Sequence, residues 1–477
     1  MKVLYAASEA VPFCKTGGLG DIAGSLPPAL AAAGIETAVV LPLYQDVKSE
    51  FGDQMEFVVS DYVSLSWRRA YCGLYKLVRN GVTWYFLDNE QYFLRDELYG
   101  YMDDGERFGF FAHAIVRMLL YMDFKPDVIH CNDWQTALVP VYLRTDGERE
   151  PWFRSIRTVL TIHNIEYQGR YNYSTLDDLF GLVRTSVDDG TMIMDGDVNL
   201  LKGGIVCANA VTADSPSYAR EIELSYFAHG LESVIQRNSF KLSGILNGLD
   251  TKRYNPEIDK YLNINYNSQT LEKRAANKAH LQAVMGLSRK EEAPVIGIVS
   301  RLVGHKGLEL VCDAFQDIMN LGVQFAVIGQ GETKYENFFA WAAEQFPGSV
   351  SYRQGQTDEL AHAVYGGADL YLMPSRSEPC GLSQMIAMRY GAVPIVREVG
   401  GLKDTVRPYD SLRDLGTGFV FRQYTSVDLL FAAAQAVELY NKNKPAFTGI
   451  MKRCMDQDFS WDASALKYKQ IYESAAV

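Results

Sequence analysis

A glycine-rich stretch near the start of the chain, Lys15-Thr16-Gly17-Gly18-Leu19-Gly20-Asp21, has the residue types needed to bind an anion. It follows an apolar run that predicts a buried strand and precedes an Ala- and Leu-rich run that predicts a helix. Glycines let backbone N–H groups approach an anion, the helix N terminus adds partial positive charge, and Lys15 adds a full charge. The stretch indicates a site for a phosphorylated ligand. Because short glycine motifs recur by chance, an ordinary strand-to-helix turn is the alternative.

Two cations in the second half of the chain occupy a similar position. Arg301 and Lys306 follow the apolar run 295–299 and precede a predicted helix. Arginine can hold phosphate oxygens through two parallel hydrogen bonds, and lysine adds a mobile point charge. The pair therefore suggests a clamp for a diphosphate. The alternative is two solvated surface cations, which is the usual environment of Lys and Arg.

Glu378 and His163 each follow a predicted buried strand. A carboxylate is costly at such a place unless it forms bonds, so we interpret Glu378 as a group that contacts ligand hydroxyls. The amides of Gly381 and Leu382, at the start of the next predicted helix, would face phosphate. A helix-capping role is the alternative for Glu378. His163 is either a satisfied core histidine or a residue over a reacting sugar, and the residues alone leave both open.

Apolar runs that end in polar residues alternate with predicted helices through most of the chain, a pattern typical of an α/β fold with parallel strands. Ligands collect at the carboxyl ends of such strands, where these polar residues lie. A charged segment poor in aliphatic residues separates two such series. We therefore predict two Rossmann-like domains. The predicted ranges are 1–247 for the first domain, 248–276 for a linker or hinge, 277–455 for the second domain and 456–477 for C-terminal helices.

Two shorter segments allow local predictions. Asn80-Gly81, between the β-type runs 75–78 and 83–86, predicts a β-hairpin. Residues 89–105 mix aromatic with charged residues, which suggests a loop at the surface.

The composition argues against several classes of protein. The 477 residues include 46 basic and 58 acidic ones, a net charge of −12, whereas nucleic-acid-binding proteins usually have a basic surplus. The seven cysteines occur singly, which favours a reducing compartment, and the histidines lack metal-ligand spacing. No apolar run reaches the roughly 18 residues of a membrane span, and no signal peptide precedes the first strand. We therefore predict a cytoplasmic protein that uses no metal and binds neither nucleic acid nor membrane.

A set of short motifs runs along the whole chain. The motifs are Lys15-Thr16-Gly17-Gly18-Leu19, Asn132-Asp133-Trp134, Thr161-Ile162-His163-Asn164, Tyr167-Gln168-Gly169, Leu246-Asn247-Gly248, Ser300-Arg301-Leu302, Lys306-Gly307, residues 374–382 and Gly400-Gly401-Leu402. In this order they resemble the motifs of bacterial glycogen synthases and plant starch synthases. The resemblance implies a glycosyltransferase-B fold, in which two Rossmann-like domains face a central cleft and the last helices return to the first domain. It also implies an enzyme that transfers glucose from ADP-glucose to the non-reducing end of an α-1,4-glucan such as glycogen, with retention of configuration and without a cofactor.

The resemblance also implies which residues form the site. Arg301 and Lys306 would neutralise the diphosphate, Glu378 would contact sugar hydroxyls, and His163 would lie near the anomeric carbon; these four are the predicted catalytic residues. The predicted donor-binding residues are Lys15, Gly17, Gly18, Asp21, Asp133, Asn247, Ser300, Arg301, Lys306, Cys380, Gly381 and Leu382.

One position departs from the pattern of many retaining relatives, which carry a second glutamate eight residues after the first. Ile386 occupies that position here. A mechanism with two carboxylates on that helix is therefore not available to this chain. We expect the acceptor hydroxyl to attack from the same face as the leaving phosphate, without a protein nucleophile.

Three other functions are considered: a related glycosyltransferase with another donor or acceptor, a glucan-binding protein without catalysis, and a dehydrogenase. A comparison of ADP-glucose with UDP-glucose distinguishes the first. Lys15, Arg301, Lys306 and Glu378 together argue against the second. The third would need G-x-G-x-x-G, but a lysine occupies the final glycine position after Gly329-Gln330-Gly331.

Overall fold

The computed structural model describes residues 1–147, 150–183, 185, 187, 189–355 and 357–476. The chain forms two compact units. The first contains Met1–Gly248 and Trp461–Val477, and the second contains Leu249–Ser460. Residues 249–276, for which the sequence predicts a linker, therefore pack as part of the second unit.

Most strands of both units have seven residues or fewer, and only β3 and β4 are longer among the described residues. In the first unit they are β1 (Lys2–Ala6), β2 (Glu36–Pro42), β3 (Glu56–Leu65), β4 (Arg68–Arg79), β5 (Val82–Asp88), β6 (Val128–Asn132), β7 (Arg157–Ile162), β8 (Arg170–Asn172), β9 (Ile193–Met194), β10 (Asp197–Asn199), β11 (Ala210–Ala213) and β12 (Leu242–Gly244). In the second unit they are β13 (Val295–Val299), β14 (Gln324–Gly329), β15 (Val350–Gln354), β16 (Leu370–Met373), β17 (Val393–Arg397) and β18 (Phe419–Phe421).

Helices connect most of the parallel strands. They are α1 (Gly18–Ala32), α2 (Gln45–Phe51), α3 (Glu90–Phe93), α4 (Asp104–Met118), α5 (Asp133–Thr136), α6 (Leu138–Asp146), α7 (Thr175–Asp178), α8 (Leu200–Cys207), α9 (Pro216–Glu221), α10 (Ser225–Ala228), α11 (Glu232–Arg237), α12 (Arg274–Met285), α13 (Leu308–Met319), α14 (Thr333–Gln345), α15 (Asp358–Gly367), α16 (Ser383–Arg389), α17 (Gly400–Thr405), α18 (Ser426–Lys442), α19 (Lys444–Met455) and α20 (Trp461–Ala476). Among the described residues, no helix is both long and apolar enough to cross a membrane.

Each unit has one main sheet with a switch in strand order. The first is β12-β11-β7-β6-β1-β2-β5-β4-β3, parallel except that β4 runs antiparallel to its two neighbours. The second is β15-β14-β13-β16-β17-β18, parallel throughout. In the first unit the chain builds the sheet on one side of β1, with β2 to β5, and then continues on the other side with β6. In the second unit it does the same around β13, with β14 and β15 on one side and β16 on the other. The switch points therefore lie between β1 and β6 and between β13 and β16. Both units therefore have the doubly wound arrangement that the sequence predicts.

The two local predictions had different outcomes. The hairpin is confirmed: Arg79 pairs with Val82, and Asn80 and Gly81 both have positive φ, as a two-residue turn of this kind requires. The surface loop at 89–105 is wrong, because α3 lies within it and its Tyr92 and Phe93 are buried. Both of these rings pack against Phe110 of α4, and this tertiary contact is not visible in the charged local sequence.

Buried polar contacts hold the segment 249–276 within the second unit. Asp259 accepts hydrogen bonds from His362 Nδ1 at 2.6 Å and from the Tyr390 hydroxyl at 2.5 Å. The Tyr266 hydroxyl donates to the carbonyl oxygen of Tyr390 at 2.7 Å. Since all four of these side chains are buried, the polar composition of the segment reflects buried bonds as well as exposure.

Helix α20 is held on the first unit by a buried polar network. It contacts α1 and β7, and the Tyr472 hydroxyl lies 2.7 Å from Nδ1 of His130. The other ring nitrogen of His130 lies 2.6 Å from Oγ1 of Thr161. Burial lowers the pKa of His130 from 6.5 to about 3, so the ring is neutral at physiological pH. Polar pairing, and not charge, therefore links α20 to the sheet at this point.

We predict that Tyr472→Phe destabilises the protein, because it leaves a buried ring nitrogen of His130 without its partner. The expected loss is about 1–3 kcal/mol in the free energy of unfolding, seen as a lower Tm by calorimetry. Tyr62→Phe, on an exposed side chain, is the matched control and should change stability by less than about 0.5 kcal/mol. An unchanged Tm for Tyr472→Phe would show that apolar contacts alone hold α20.

Candidate active site

In the second unit, the residues predicted to bind the diphosphate and the sugar follow the two strands at the switch point. Ser300, Arg301 and Lys306 follow β13, and Glu378 follows β16. Because these strands are adjacent and parallel, their carboxyl ends lie at one edge of the sheet. The two loops meet there: Nζ of Lys306 lies 2.7 Å and 3.0 Å from the two carboxylate oxygens of Glu378.

Glu378 is a buried carboxylate whose charge is compensated inside the unit. The residue is 5% exposed, and its carboxylate also accepts a hydrogen bond from Oγ of Ser375 at 2.9 Å. Burial opposes ionisation, but Lys306 and Ser375 outweigh it and hold the pKa of Glu378 below its ordinary value of 4.5. Burial and the neighbouring Lys306 lower the pKa of His305 to about 4, so that ring is neutral. Lys306 and Glu378 therefore form a charged pair poised at the switch point.

Two glycines allow the close approaches on which this pair depends. Gly307 has φ of +70°, and a Cβ at this position would lie 2.0 Å from the carbonyl oxygen of Pro374. A Cβ at Gly401 would lie 1.9 Å from the carbonyl oxygen of Cys380, and the amide of Gly401 donates to the carbonyl oxygen of Glu378 at 2.9 Å. Side chains at either position would push the β16 loop away from its neighbours.

The other predicted residues of this unit are near Lys306 or Glu378 in the sequence, but their exposure differs. Arg301 is exposed, and it takes part in none of the ion pairs found among the described residues. Ser300 is partly buried and donates to the carbonyl oxygen of Arg301 at 3.0 Å. Cys380 is 4% exposed. Gly381 and Leu382 directly precede α16, and Leu382, the residue at its N-cap, provides no side-chain cap.

In the first unit, α1 begins at Gly18, within the glycine-rich stretch, whereas the sequence predicted a helix that starts only after the stretch, at Ile22. Gly17, the residue before the helix, has no side chain to cap it, but the carboxylate of Glu9 accepts from the amide of Gly20 in the first turn at 3.1 Å. Nζ of Lys15 lies 2.5 Å from a carboxylate oxygen of Asp21, so the predicted cation has a partner within the stretch. The side chain of Lys15 is 37% exposed, so this ion pair is partly open to solvent.

His163 lies at the end of β7 with both ring nitrogens engaged. Nδ1 lies 2.8 Å from Asp214, and Nε2 lies 2.8 Å from Oδ1 of Asn132. Burial opposes the charge, but the carboxylates of Asp214 and Asp133 outweigh it and raise the pKa of His163 from 6.5 to about 9. His163 is therefore an imidazolium at neutral pH, and a proton transfer at its ring would require one of these bonds to break.

Asp133, which follows β6 at the switch point, has an unusual backbone. Its φ is +55°, in the left-handed region that a non-glycine residue rarely adopts. Non-glycine residues with this conformation cluster at functional sites. Its Oδ1 accepts from the backbone N–H of His163 at 2.8 Å. Burial raises the pKa of Asp133 to about 6, while His163 acts in the opposite direction. The predicted residues Asp133 and His163 are therefore brought together.

Asn247 differs from the other predicted residues because its side chain is not satisfied. It is 1% exposed, and among the described residues neither Nδ2 nor Oδ1 has a hydrogen-bond partner. A buried amide without partners costs on the order of 1–3 kcal/mol. A ligand with hydroxyl groups could provide the missing bonds, which agrees with the predicted role of Asn247.

Curated relatives match the chain over its whole length. A glycogen synthase of Bacillus cereus (strain B4264) is 43% identical over 474 residues, which cover 99% of each chain. A glycogen synthase of Streptococcus pneumoniae (strain ATCC 700669 / Spain 23F-1) is 44% identical over 477 residues, again 99% of each chain. The chain belongs to the family of glycogen and starch synthases. Residues 2–237 also match a family model described as the starch synthase catalytic domain, and residues 286–446 match one described as glycosyl transferases group 1.

Solved structures also resemble this member of the glycogen and starch synthase family. The catalytic domain of starch synthase IV from Arabidopsis thaliana, solved with ADP and acarbose, superposes with a TM-score of 0.89 at 32% identity and covers 99% of each chain. Sucrose-phosphate synthase from Thermosynechococcus elongatus gives a TM-score of 0.61 at 17% identity, with 99% of this chain and 98% of that chain covered, and shows likeness of fold alone.

Family membership confirms three predictions made from the sequence. These are the family itself, the glycosyltransferase-B fold of two α/β domains, and an enzyme that transfers glucosyl units to a glucan. The assignments of individual residues to donor binding and catalysis stay predictions.

The sequence analysis missed side chains that hold the predicted ones in place. Asp214 is the partner of His163, Ser375 bonds Glu378, and Glu9 contacts the glycine-rich stretch. Asp214 and Ser375 could have been found, since each follows a predicted strand of a parallel sheet, where ligand-facing residues gather. Glu9 also follows a predicted strand, the first of the chain, but its partners Thr16 and Gly20 become apparent only when the stretch folds back over it.

We predict that the stability of the protein falls as pH rises from 6.5 to 9, because His163 is protonated in the folded protein across this range and loses its proton when unfolded. The contribution is complete below pH 6.5, and each pH unit above it removes about 1.4 kcal/mol until the folded pKa is reached. Asp214→Asn should flatten this dependence, measured as Tm against pH.

Asp178→Asn is the matched control, since this exposed carboxylate pairs with Arg68 and not with a histidine. It should leave the pH dependence of Tm as in the wild type. A slope that Asp214→Asn leaves unchanged would contradict the protonated state assigned to His163.

Proposed function

We propose that the chain transfers glucose from ADP-glucose to the non-reducing end of an α-1,4-glucan such as glycogen, with retention of the anomeric configuration. One observation carries the choice of nucleotide. Starch synthase IV, 32% identical over 99% of both chains, was solved with ADP, which is the product that ADP-glucose leaves after transfer. The switch point of the second unit supplies cations suited to a diphosphate.

The chemical step places negative charge on the leaving ADP. As the bond between glucose C1 and the β-phosphate oxygen breaks, the charge on that phosphate rises, and Arg301 and Lys306 are the cations proposed to stabilise it. Preorganised donors of this kind are worth roughly 3–4 kcal/mol each when removed singly. Arg301 would give up no ion pair for this role, since it is exposed and makes none among the described residues.

Lys306 must divide its interactions between the donor and Glu378. In the structure both carboxylate oxygens of Glu378 lie within 3.0 Å of its ammonium group. A diphosphate competes with Glu378 for Lys306, which leaves the carboxylate oxygens able to accept hydrogen bonds from sugar hydroxyls. Binding of the donor would thereby replace the ion pair between Lys306 and Glu378 with contacts from Lys306 to the diphosphate and from Glu378 to the sugar.

Retention follows from an attack on the same face of the sugar. The acceptor hydroxyl forms its bond to C1 while the C1–phosphate bond breaks, and its proton passes to the leaving phosphate oxygen. This route needs no protein nucleophile. It agrees with the buried, apolar Ile386 at the position where many retaining relatives carry a second carboxylate.

We further propose that the reaction needs no metal or other cofactor and takes place in the cytoplasm. Among the described residues, no group of three His, Cys, Asp or Glu side chains could hold a metal ion. The seven singly spaced cysteines support a reducing compartment.

We predict that the purified chain incorporates glucose from ADP-glucose into a glycogen primer at a much higher kcat/KM than from UDP-glucose, in the presence of EDTA. The reason is selection of the adenine nucleotide, and the measurement is incorporation of labelled glucose with each donor. Digestion of the product by an α-1,4-specific glucosidase checks the linkage. A preference for UDP-glucose would reassign the donor, and loss of activity in EDTA would reject the metal-free reaction.

We predict that Glu378→Gln binds ADP more tightly than the wild type while transfer is severely reduced. Removing the carboxylate charge releases Lys306 for the diphosphate and removes a repulsive neighbour, so the Kd of ADP should fall roughly tenfold. The rate of transfer should fall by about 10²–10³ because the contact with the sugar is lost. Calorimetric titration and the incorporation assay measure the two effects.

Glu344→Gln, which makes the same charge change on the exposed face of α14, is the control and should alter neither value. Weaker ADP binding by Glu378→Gln would show that the Lys306–Glu378 pair organises the diphosphate site and does not compete with it.

A further inference from the structure

Glu9 is a buried carboxylate enclosed by the glycine-rich stretch. It follows β1 and is 2% exposed. One carboxylate oxygen accepts from the amide of Thr16 at 2.6 Å and from its hydroxyl at 2.7 Å, and the other accepts from the amide of Gly20 at 3.1 Å. These bonds join both ends of the segment Gly17–Leu19, so Glu9 spans the part of the stretch proposed to contact the donor.

This carboxylate has no direct ionic partner among the described residues, and its charge acts on His163 only from beyond ion-pair distance, as one of those that raise the pKa of that ring. A buried carboxylate is costly unless hydrogen bonds replace its water, and bonds from N–H and O–H groups to a charged acceptor are strong ones. The stretch and Glu9 therefore stabilise each other. The carboxylate is satisfied only in this conformation of the stretch, and a glycine-rich segment would otherwise sample many conformations.

The position of Lys15 depends on the same conformation. The aliphatic part of its side chain crosses Gly20, where a Cβ would lie only 2.9 Å from Cγ of Lys15. The amide of Gly20 is in turn fixed by Glu9. From Gly20 the side chain of Lys15 reaches Asp21, 2.5 Å from its ammonium group. Displacement of Gly20 would therefore move the ammonium group of Lys15.

We infer that Glu9 is a positioning residue for donor binding, which acts by holding the glycine-rich stretch and Lys15 in place. This inference rests on the proposed function, because it takes ADP-glucose as the ligand of the stretch. It predicts an effect on the nucleotide sugar and not on the glucan. A residue that only stabilised the first unit would lower Tm without this selectivity.

The test compares Glu9→Gln with the wild-type chain. An amide keeps the shape of the side chain but loses the charge and cannot accept all three bonds. The hydrogen bonds from Thr16 and Gly20 to residue 9 should weaken, and the stretch should then hold the nucleotide less firmly. Since a tenfold change in binding corresponds to about 1.4 kcal/mol, which is no more than a hydrogen bond to a charged group contributes, the KM of ADP-glucose and the Kd of ADP should each rise by roughly tenfold or more. The KM of glycogen should stay within about twofold of the wild-type value, since the glucan is not the ligand of this stretch.

Two further variants keep the test decisive. Thr16→Val removes only the hydroxyl bond and should raise the KM of ADP-glucose in the same direction by a smaller factor, so it decides the matter if Glu9→Gln fails to fold. Asp259→Asn is the control: it removes the charge of a buried carboxylate of the second unit and weakens its hydrogen bonds with His362 and Tyr390. It should lower Tm while leaving the KM of ADP-glucose unchanged.

The outcomes separate this inference from the proposed function. A wild-type chain that neither binds ADP nor uses ADP-glucose would overturn the proposed function. A wild type that does both, with Glu9→Gln and Thr16→Val matching it in the KM of ADP-glucose, would overturn the positioning role alone. Equal losses for ADP-glucose and glycogen would also overturn it, because they indicate general damage to the first unit.

Discussion

The site residues of each unit depend on a constraint of parallel sheets. Where successive crossovers leave a strand in opposite directions, no connection covers the carboxyl ends of that strand and its neighbour, and their loops face open space. In the second unit this point lies between β13 and β16, and in the first between β1 and β6. Lys306 and Glu378 are 72 residues apart in the chain, yet they form an ion pair because their strands are adjacent in the sheet.

The second common feature is that each unit has buried carboxylates among or beside its candidate site residues. Each of them has its charge compensated within its own unit: Glu378 by Lys306, Asp214 by His163, and Glu9 by the donors of the glycine-rich stretch. Such a charge could not stay buried without its partners, since an unpaired one would be too costly. The partners thus hold one another in fixed positions. A preorganised arrangement of this kind is what electrostatic stabilisation of a developing charge requires.

Local sequence was sufficient wherever the cause was local. The Asn80-Gly81 hairpin was predictable because its turn needs two residues that tolerate positive φ. The strand, glycine stretch and helix at the N terminus were also predictable, since each has its own composition. The segment 89–105 was not, because the burial of Tyr92 and Phe93 depends on a helix that follows later in the chain.

The family and the residue types of the candidate site were determined by the sequence alone, because they depend on motifs, their order and the chemistry of single side chains. Ile386 belongs to this class, since its lack of a carboxylate needs no structure to be seen. Tertiary structure decided the charge states and the pairing: that His163 is an imidazolium, that Lys306 is bound to Glu378, and that Glu9 holds the glycine-rich stretch. The physical reason is that a charge in a protein takes its energy from burial and from neighbours within a few ångströms, and strand order, not sequence proximity, selects those neighbours.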